Sequence, residues 1–223
     1  REGKGKAVLK RCKNGIKIMF TSGQITAALP TIIPAVALPK NFKAVVKASQ
    51  LLNLNLFTFV PMGCFTEEFS YYMKALLLTV PVIAAVGGLV LMGVARKRPH
   101  LFTAAIAITY LTLPTITTIS FGLFPCEPFD DGTRMLRGDY DISCLADGRN
   151  VWVYYGYLMV GIFPIGVTLV YWLLLYRVKD KLKDKNRDNI DDIRGIVFLW
   201  DPYKREFWWW EVFETARRLA MTG

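Results

Sequence analysis

Three clusters of Lys and Arg divide this chain of 223 residues, and an apolar stretch long enough to cross a bilayer lies between each neighbouring pair. The clusters occupy residues 1–13, 96–98 and 177–187. Apolar runs of this length restrict the backbone to helices, because the bilayer core offers no water to its N–H and C=O groups. Basic segments stay on the cytoplasmic side during insertion. The sequence therefore predicts a multi-pass integral membrane protein with its basic loops in the cytoplasm.

The overall charge supports a membrane partner better than a nucleic acid. The chain is 53% hydrophobic, with mean hydropathy +0.30 and a formal net charge of +10. Its positive residues flank the apolar runs, which favours contact with membrane lipids, including anionic headgroups. His100 is the single histidine, and the four cysteines form no zinc pattern. The sequence predicts no metal, no cofactor and no nucleic-acid partner.

The apolar runs predict an all-α fold with four transmembrane helices. After a basic cytoplasmic segment, residues 1–15, the membrane domain covers 16–176. Its spans are expected at about 16–38, 72–95, 101–124 and 151–176. The prolines of the first span favour a helix packed inside a bundle, and an ordinary kinked helix is the alternative. In the second span, Ala84 and Gly88 have the small-residue spacing of a helix-packing face.

Residues 39–65 predict an element on the outer side that does not cross the membrane. Lys40, Lys43 and Lys47 recur among apolar residues, which is typical of an amphipathic interfacial helix. The apolar run Leu51–Val60 is too short to span a bilayer. The segment is amphipathic or re-entrant. If it crossed the membrane, the acidic loop that follows the third span would lie inside.

That acidic loop, Cys126–Asn150, is predicted to be extracellular or lumenal. Disulfides persist on the oxidising side of a membrane, opposite the basic segments. We expect Cys126 and Cys144 to form a disulfide, which would stabilise the loop by about 3 kcal/mol through chain entropy. Cys64 falls on the same side, and it has no local partner.

The third span carries a stripe of hydroxyl groups that has two interpretations. Together with a glutamine of the first span, they could line a polar path for an ion. Alternatively, the hydroxyls bond back to carbonyls of their own helix or to neighbouring helices, and this second interpretation is favoured. The candidate polar path consists of Gln24, Thr112, Thr115, Thr118 and Ser120.

The C-terminal part predicts a charged cytoplasmic connector, residues 177–204, followed by a Trp-rich helix, residues 205–223. Trp208 and Trp209 fall on one face of that helix, which suits the membrane interface. Charged residues lie elsewhere, and Glu214 can reach Arg217 and Arg218 at helical spacing. We expect this interfacial helix to lead into a further span, and the chain to be one piece of a longer polypeptide.

No pattern in the sequence indicates catalysis. The chain has no Gly-rich phosphate loop, no GxSxG and no HExxH, and a single histidine rules out a multi-histidine metal site. The interiors of the four predicted spans lack Asp, Glu, Lys and Arg, which proton relays and ion-coupled pumps require. We therefore expect a protein that is not an enzyme.

Several segments together resemble a known membrane region: SGQITAALPTIIP, NLNLFTFVPMGC, SYYMKALLL, CEPFDDG with DYDISC, and FWWWEVFETARRLAMTG. Nearly the whole chain is similar to the C-terminal region of large surface proteins of algae, oomycetes and related protists. Those proteins carry a transient-receptor-potential-like (TRP-like) domain. The resemblance implies a channel-like or sensory membrane domain, without assigning pore residues.

Two functions follow as hypotheses. The first is cation permeation or sensing, in which the helix carrying Glu211, Glu214, Arg217 and Arg218 couples a sensor to a gate. The second is a non-catalytic anchor or accessory subunit in a multi-subunit assembly, with other transmembrane helices as partners. A neighbouring subunit in contact with the Ala84–Gly88 face would favour the anchor or accessory role.

Overall fold

The computed structural model describes residues 2–32, 39–50, 70–184 and 191–222, and most of them are helical. Three helices are long and apolar enough to cross a membrane: Tyr71–Arg96, Pro99–Phe121 and Arg149–Arg177. They correspond to the second, third and fourth predicted spans, which is consistent with a membrane protein. The described part of the first predicted span, 16–32, is helical but is not among those three. The presence of four transmembrane spans therefore remains a prediction.

The structure describes four helices in the N-terminal half. They are α1 (Glu2–Ile32), α2 (Lys40–Gln50), α3 (Tyr71–Arg96) and α4 (Pro99–Phe121). The basic segment 1–15, expected to be separate, is continuous with α1 from Glu2 onward. Helix α2 packs against α1 and buries Val46 while its lysines stay exposed, as an amphipathic helix does. The predicted Leu51–Val60 element and Cys64 lie outside the described residues.

Helix α4 is the central helix of the bundle. In the most apolar stretch of 18 residues of α4, 56% of the residues are buried. The corresponding share is 11% in α3 and 22% in the Arg149–Arg177 helix. Helix α4 packs against α3, α9 and the Arg149–Arg177 helix, so its apolar residues face protein on nearly every side. A helix buried to this extent sets the positions of the helices around it.

The third long helix contains a π-helical turn at its middle. It is composed of α5 (Arg149–Val160), a π-helix (Gly161–Val167) and α6 (Thr168–Arg177). Pro164 lies in the π-helix and has no N–H to donate to the helical ladder. The hydroxyl of Thr168 donates to the Pro164 carbonyl at 2.6 Å. Gly161, Pro164 and Gly166 all lie in this wider turn, and such turns are one of the recognised causes of irregularity in helices.

The loop after α4 contains a small sheet, so the expectation of a purely helical fold was wrong in this region. Strands β1 (Cys126–Pro128), β2 (Arg134–Leu136) and β3 (Asp139–Ser143) pair antiparallel in that order. The Cys126–Cys144 disulfide is confirmed, with a Cα–Cα distance of 6.4 Å. We call this the disulfide end of the bundle, and the opposite end, at Arg96–Arg98, the basic end.

Two polar side chains tie the disulfide end to the helices. Arg149 is buried and donates to the Leu123 carbonyl at 2.9 Å, close to the C-terminal end of α4. A cation at this position satisfies carbonyls that the helix leaves unpaired. The backbone N–H of Tyr71 donates to Asp139 at 3.0 Å, and its hydroxyl donates to the Ile119 carbonyl at 3.2 Å. The sheet, α3 and α4 are thereby fixed to one another.

The described parts of the connector, 177–184 and 191–204, pack against the basic end of the bundle. Leu182, the single leucine of α7 (Lys179–Lys183), is fully buried in a cluster with Leu199. A 3₁₀-helix (Asp191–Ile196) leads into α8 (Val197–Trp200), and the Thr103 hydroxyl of α4 donates to the Gly195 carbonyl at 3.0 Å. A second 3₁₀-helix (Arg205–Phe207) precedes α9 (Trp210–Thr222).

The contact between Gly138 and the Tyr71 ring gives a stability prediction. A Cβ at Gly138 would lie 2.8 Å from Tyr71 Cε2, and two hydrogen bonds hold that tyrosine in place. We expect Gly138→Ala to lower the free energy of unfolding by about 1–3 kcal/mol through overpacking. Gly88→Ala is the control, since its Cβ would meet nothing within 4 Å. Unfolding midpoints of the two variants in the same detergent measure the effect, and equal midpoints would contradict it.

Candidate functional site

Helices α1 and α9 carry polar side chains at the same spacing, and the structure brings them together. Lys17 Nζ donates to Glu211 Oε2 at 2.6 Å, and Arg218 Nη1 donates to Gln24 Oε1 at 3.1 Å. Both pairs are separated by 194 residues in sequence, so the two helices run parallel in a single register. We call this set the polar seam; it consists of Lys17, Thr21 and Gln24 on α1 and Glu211, Thr215 and Arg218 on α9.

The Lys17–Glu211 pair forms the end of the seam nearer the basic end. The Lys17 side chain is 15% exposed and that of Glu211 is fully buried. The Lys17 ammonium also lies 4.6 Å from the ring centre of Phe198, a cation–π distance. Burial raises the pKa of the Tyr203 phenol, and its hydrogen bond with the Glu211 carboxylate raises it further. Tyr203 therefore keeps its proton and donates to a carboxylate that is already paired with an ammonium.

Arg218 forms the inner end of the seam and is fully buried. Besides its bond to Gln24, its Nη2 donates to the Tyr110 carbonyl at 3.3 Å, and its guanidinium lies 4.0 Å from the centre of the Tyr110 ring. Gln24 is oriented by a bond from its Nε2 to the Leu111 carbonyl at 3.1 Å. An amide, a carbonyl and an aromatic face thus surround one cation, which suits the flat fork of arginine.

The seam lies halfway up the bundle. Tyr110 is the middle residue of α4, so it is about 16 Å from either end of that helix at roughly 1.5 Å per residue. Helix α9 packs along α1, α4 and α6 with its polar face inward, rather than lying across their ends. Trp209 and Phe213 are on the exposed side. The predicted spans lack ionisable residues in their interiors, but α9 brings one to the centre of the bundle.

The two threonines of the seam differ in their hydrogen bonds. Thr21 donates to the Lys17 carbonyl at 2.8 Å and shares a bond with the Tyr110 hydroxyl at 3.1 Å. The Thr215 hydroxyl is buried and has no hydrogen-bond partner among the residues that the structure describes. Thr215 is thus the one seam side chain without a hydrogen bond in this part of the chain, and Thr21 anchors α1 to α4.

The other residues of the predicted coupling helix lie outside the seam. Glu214 pairs with Arg217, whose Nε donates to Glu214 Oε2 at 3.0 Å in an exposed position. The structure places Arg218, the other predicted partner of Glu214, against Gln24. Trp208 packs on the apolar cluster around Leu182. Of this set, Glu211 and Arg218 are therefore the two that enter the bundle.

Three hydroxyl groups of the predicted polar path donate to carbonyls of their own helix. Thr112 donates to the Ile108 carbonyl at 2.8 Å, and Ser120 donates to the Ile116 carbonyl at 2.8 Å. Thr118 donates to the Pro114 carbonyl at 3.0 Å, and Thr115 is buried. These are bonds within α4, as in the favoured interpretation of the sequence. Gln24 belongs to the seam instead, and a path for ions remains a prediction.

The predicted packing face of α3 is open in the described chain. Ala84 is exposed, and a Cβ at Gly88 would meet nothing within 4 Å. Helix α3 contacts α4 through another face, where Ala75 and Thr79 are buried. Packing of Ala84 and Gly88 against another subunit therefore remains a prediction.

A crevice of about 300 Å³ adjoins the seam and is lined by Lys17, Thr21, Tyr110 and Tyr203, among others.

No family model, no curated protein and no solved structure matches the chain. Across residues 2–32, 39–50, 70–184 and 191–222, no group of three or more His, Cys, Asp or Glu converges. The chemistry of the seam is that of a buried charge held by exchangeable hydrogen bonds.

The buried ion pair gives the second prediction. Glu211→Gln leaves the Lys17 ammonium without its carboxylate, so we expect a loss of about 3–5 kcal/mol in the free energy of unfolding. Glu214→Gln, in the exposed pair of the same helix, should cost about 0–1 kcal/mol. Replacing Lys17 and Glu211 together by Met should recover most of the loss. Equal losses for the two glutamine variants, measured by denaturant unfolding in micelles, would contradict a buried pair.

The two seam threonines give the third prediction: replacing each by valine should change stability in different ways. Thr215→Val removes a buried hydroxyl that makes no bond in the described structure, so stability should stay the same or rise. Thr21→Val breaks the bond to the Tyr110 hydroxyl and should cost about 1 kcal/mol. Melting temperatures of both variants in one lipid composition test this. A larger loss for Thr215→Val than for Thr21→Val would refute the assignment.

Proposed function

We propose that this chain is the membrane-embedded sensing domain of a TRP-like protein that acts in cation permeation or sensing, with α9 as its output helix. The observation that carries the proposal is the full burial of Arg218 at the level of Tyr110, the middle of α4. Ionisable residues at this depth in a membrane bundle are rare, and they usually mark ion pathways, relays or voltage sensors.

The charges of the seam do not cancel. Lys17 and Glu211 form a neutral pair, whereas Arg218 adds a positive charge held by the Gln24 amide and the Tyr110 carbonyl and ring. Moving one elementary charge across the whole membrane changes the energy by about 2.3 kcal/mol per 100 mV. A shift of α9 along its axis would carry Arg218 through part of that field, and it would then respond to the membrane potential.

The packing of α9 is suited to such a shift. Its inner face carries the polar seam, and Val212 and Leu219 beside it pack on the two apolar clusters as partly buried side chains, while Phe213 points outward. Movement along the seam exchanges hydrogen-bond partners, while Val212 and Leu219, which are only partly buried, slide against those clusters. The crevice beside Lys17 and Thr21 offers water a route to the same side chains. These features support a two-position helix.

The test is cation flux through the full-length protein in liposomes, measured at a series of imposed potentials. We expect Arg218→Gln to weaken the dependence of flux on potential, because it removes the charge that moves with α9. Arg218→Lys keeps the charge and should retain more of that dependence. Arg217→Gln, at the neighbouring exposed position, is the control and should behave as the unmodified protein. Equal effects of the two glutamine variants would contradict sensing through the seam, and absence of flux under every stimulus would contradict permeation.

An anchor or accessory role is the second candidate, and the exposure of α3 favours it. Only 11% of the residues in its most apolar stretch are buried, and the Ala84–Gly88 face is open to another helix. If this is the main role, Ala84→Trp should dissociate co-purifying subunits, while Arg218→Gln should leave them attached. If this chain is instead a sensor, Ala84→Trp should leave the dependence of flux on potential unchanged.

A further inference from the structure

A large apolar groove lies between α3, α4 and the helix that contains the π-turn, away from the polar seam. Its volume is about 1070 Å³, at the upper end of the range for ligand pockets. None of the six seam residues lines it. Its walls are mainly aliphatic and aromatic, and they include Val86, Val90, Phe102, Ile106, Val167 and Val170.

The hydroxyl groups that reach this groove are already hydrogen-bonded. Thr109 and Tyr171 share a bond of 2.6 Å, and the Thr109 hydroxyl also lies 2.8 Å from the Ile106 carbonyl. Neither group needs a partner from a ligand. An apolar cavity whose polar groups are satisfied favours a hydrocarbon occupant over water.

The length of the groove fits half of a bilayer. From Val86 to Lys97, α3 advances about 16 Å at roughly 1.5 Å per residue. Half of a hydrocarbon core about 30 Å thick is about 15 Å. The inner limit of the groove on the facing helix is Gly161, at the start of the π-turn near the middle of that helix. The groove therefore extends from headgroup level to the depth that acyl chain ends reach.

A cation stands at the end where a headgroup would lie. Lys97 lines the groove and adopts a left-handed backbone conformation, φ 50°, in which its N–H caps the last turn of α3. Its ammonium forms no ion pair with any residue that the structure describes. Arg96 and Arg98 flank it in sequence and are exposed. A basic site beside an apolar groove at a membrane surface is complementary to an anionic lipid headgroup.

We propose that this groove binds one anionic phospholipid, with an acyl chain along the apolar walls and the headgroup phosphate at Lys97. This inference rests on the groove alone and is independent of the role of Arg218. The π-turn forms part of the groove wall at Gly161. Gly161 has no side chain, and a Cβ there would meet nothing within 4 Å, so the groove is open at this point. A larger residue at that position would occupy the space of the chain.

The experiment uses the full-length protein in nanodiscs containing equal amounts of phosphatidylserine and phosphatidylcholine with identical acyl chains. Lipids retained after mild extraction are counted by native mass spectrometry. Lys97→Asn removes the charge, and asparagine tolerates the left-handed backbone. Arg98→Asn is its control, since Arg98 does not line the groove. Gly161→Leu fills the groove, and Gly87→Leu on the exposed side of α3 is its control.

We expect the unmodified protein to retain phosphatidylserine preferentially, and Lys97→Asn to reduce that preference about fivefold, the change that one Lys near the surface gives. Gly161→Leu should lower retention of both lipids, whereas Arg98→Asn and Gly87→Leu should change little. Equal effects of Lys97→Asn and Arg98→Asn would show general attraction to basic residues and would overturn a specific site. Unchanged retention in Gly161→Leu would show that the groove is covered by something other than lipid.

Discussion

The arrangement of this bundle depends on how one guanidinium is accommodated. Arg218 is fully buried, and an isolated cation in an apolar interior is costly unless several groups bond to it. Here the partners come from two other helices: the Gln24 amide of α1 and the Tyr110 carbonyl and ring of α4. In the position that the structure shows, satisfying this one side chain therefore sets the height of α9 against both neighbours. The Lys17–Glu211 pair, one heptad away, fixes its direction and register.

The rest of the bundle follows from α4. It receives α3 on one side, the π-containing helix on another, and α9 with α1 on a third, so its environment is protein along most of its length. Polar groups on such a helix need partners from inside the protein, and the hydroxyls of Thr112, Thr118 and Ser120 donate to carbonyls of α4 itself. At the disulfide end, Arg149 and Tyr71 complete its last turn. The result is one helix with two fixed ends, against which a polar helix is packed.

Much of this fold could be predicted from the sequence. Apolar runs bounded by basic residues defined three long helices to within three residues, and two cysteines in one loop defined the disulfide. The placement of α9 could not be predicted from its own sequence. An amphipathic helix has the same pattern of polar and apolar residues whether its polar face meets water or a buried partner. The available signal was the shared spacing of Lys17, Thr21 and Gln24 with Glu211, Thr215 and Arg218. The packing of α7 could not be predicted because Leu182 is its single leucine among charged residues, and strands of three to five residues are too short to show alternation.

The π-turn sets the rotational phase of the helix that contains it. A π-turn accommodates one more residue than an α-turn, and each residue of an α-helix corresponds to about 100° of rotation. Everything after Val167 is therefore turned by about 100° relative to a continuous α-helix starting at Arg149. Tyr171 meets Thr109 because of that rotation, and Leu175 enters the cluster around Leu182 for the same reason. One additional residue between Gly161 and Val167 thus determines which side of α6 faces the protein and which side is left for its surroundings.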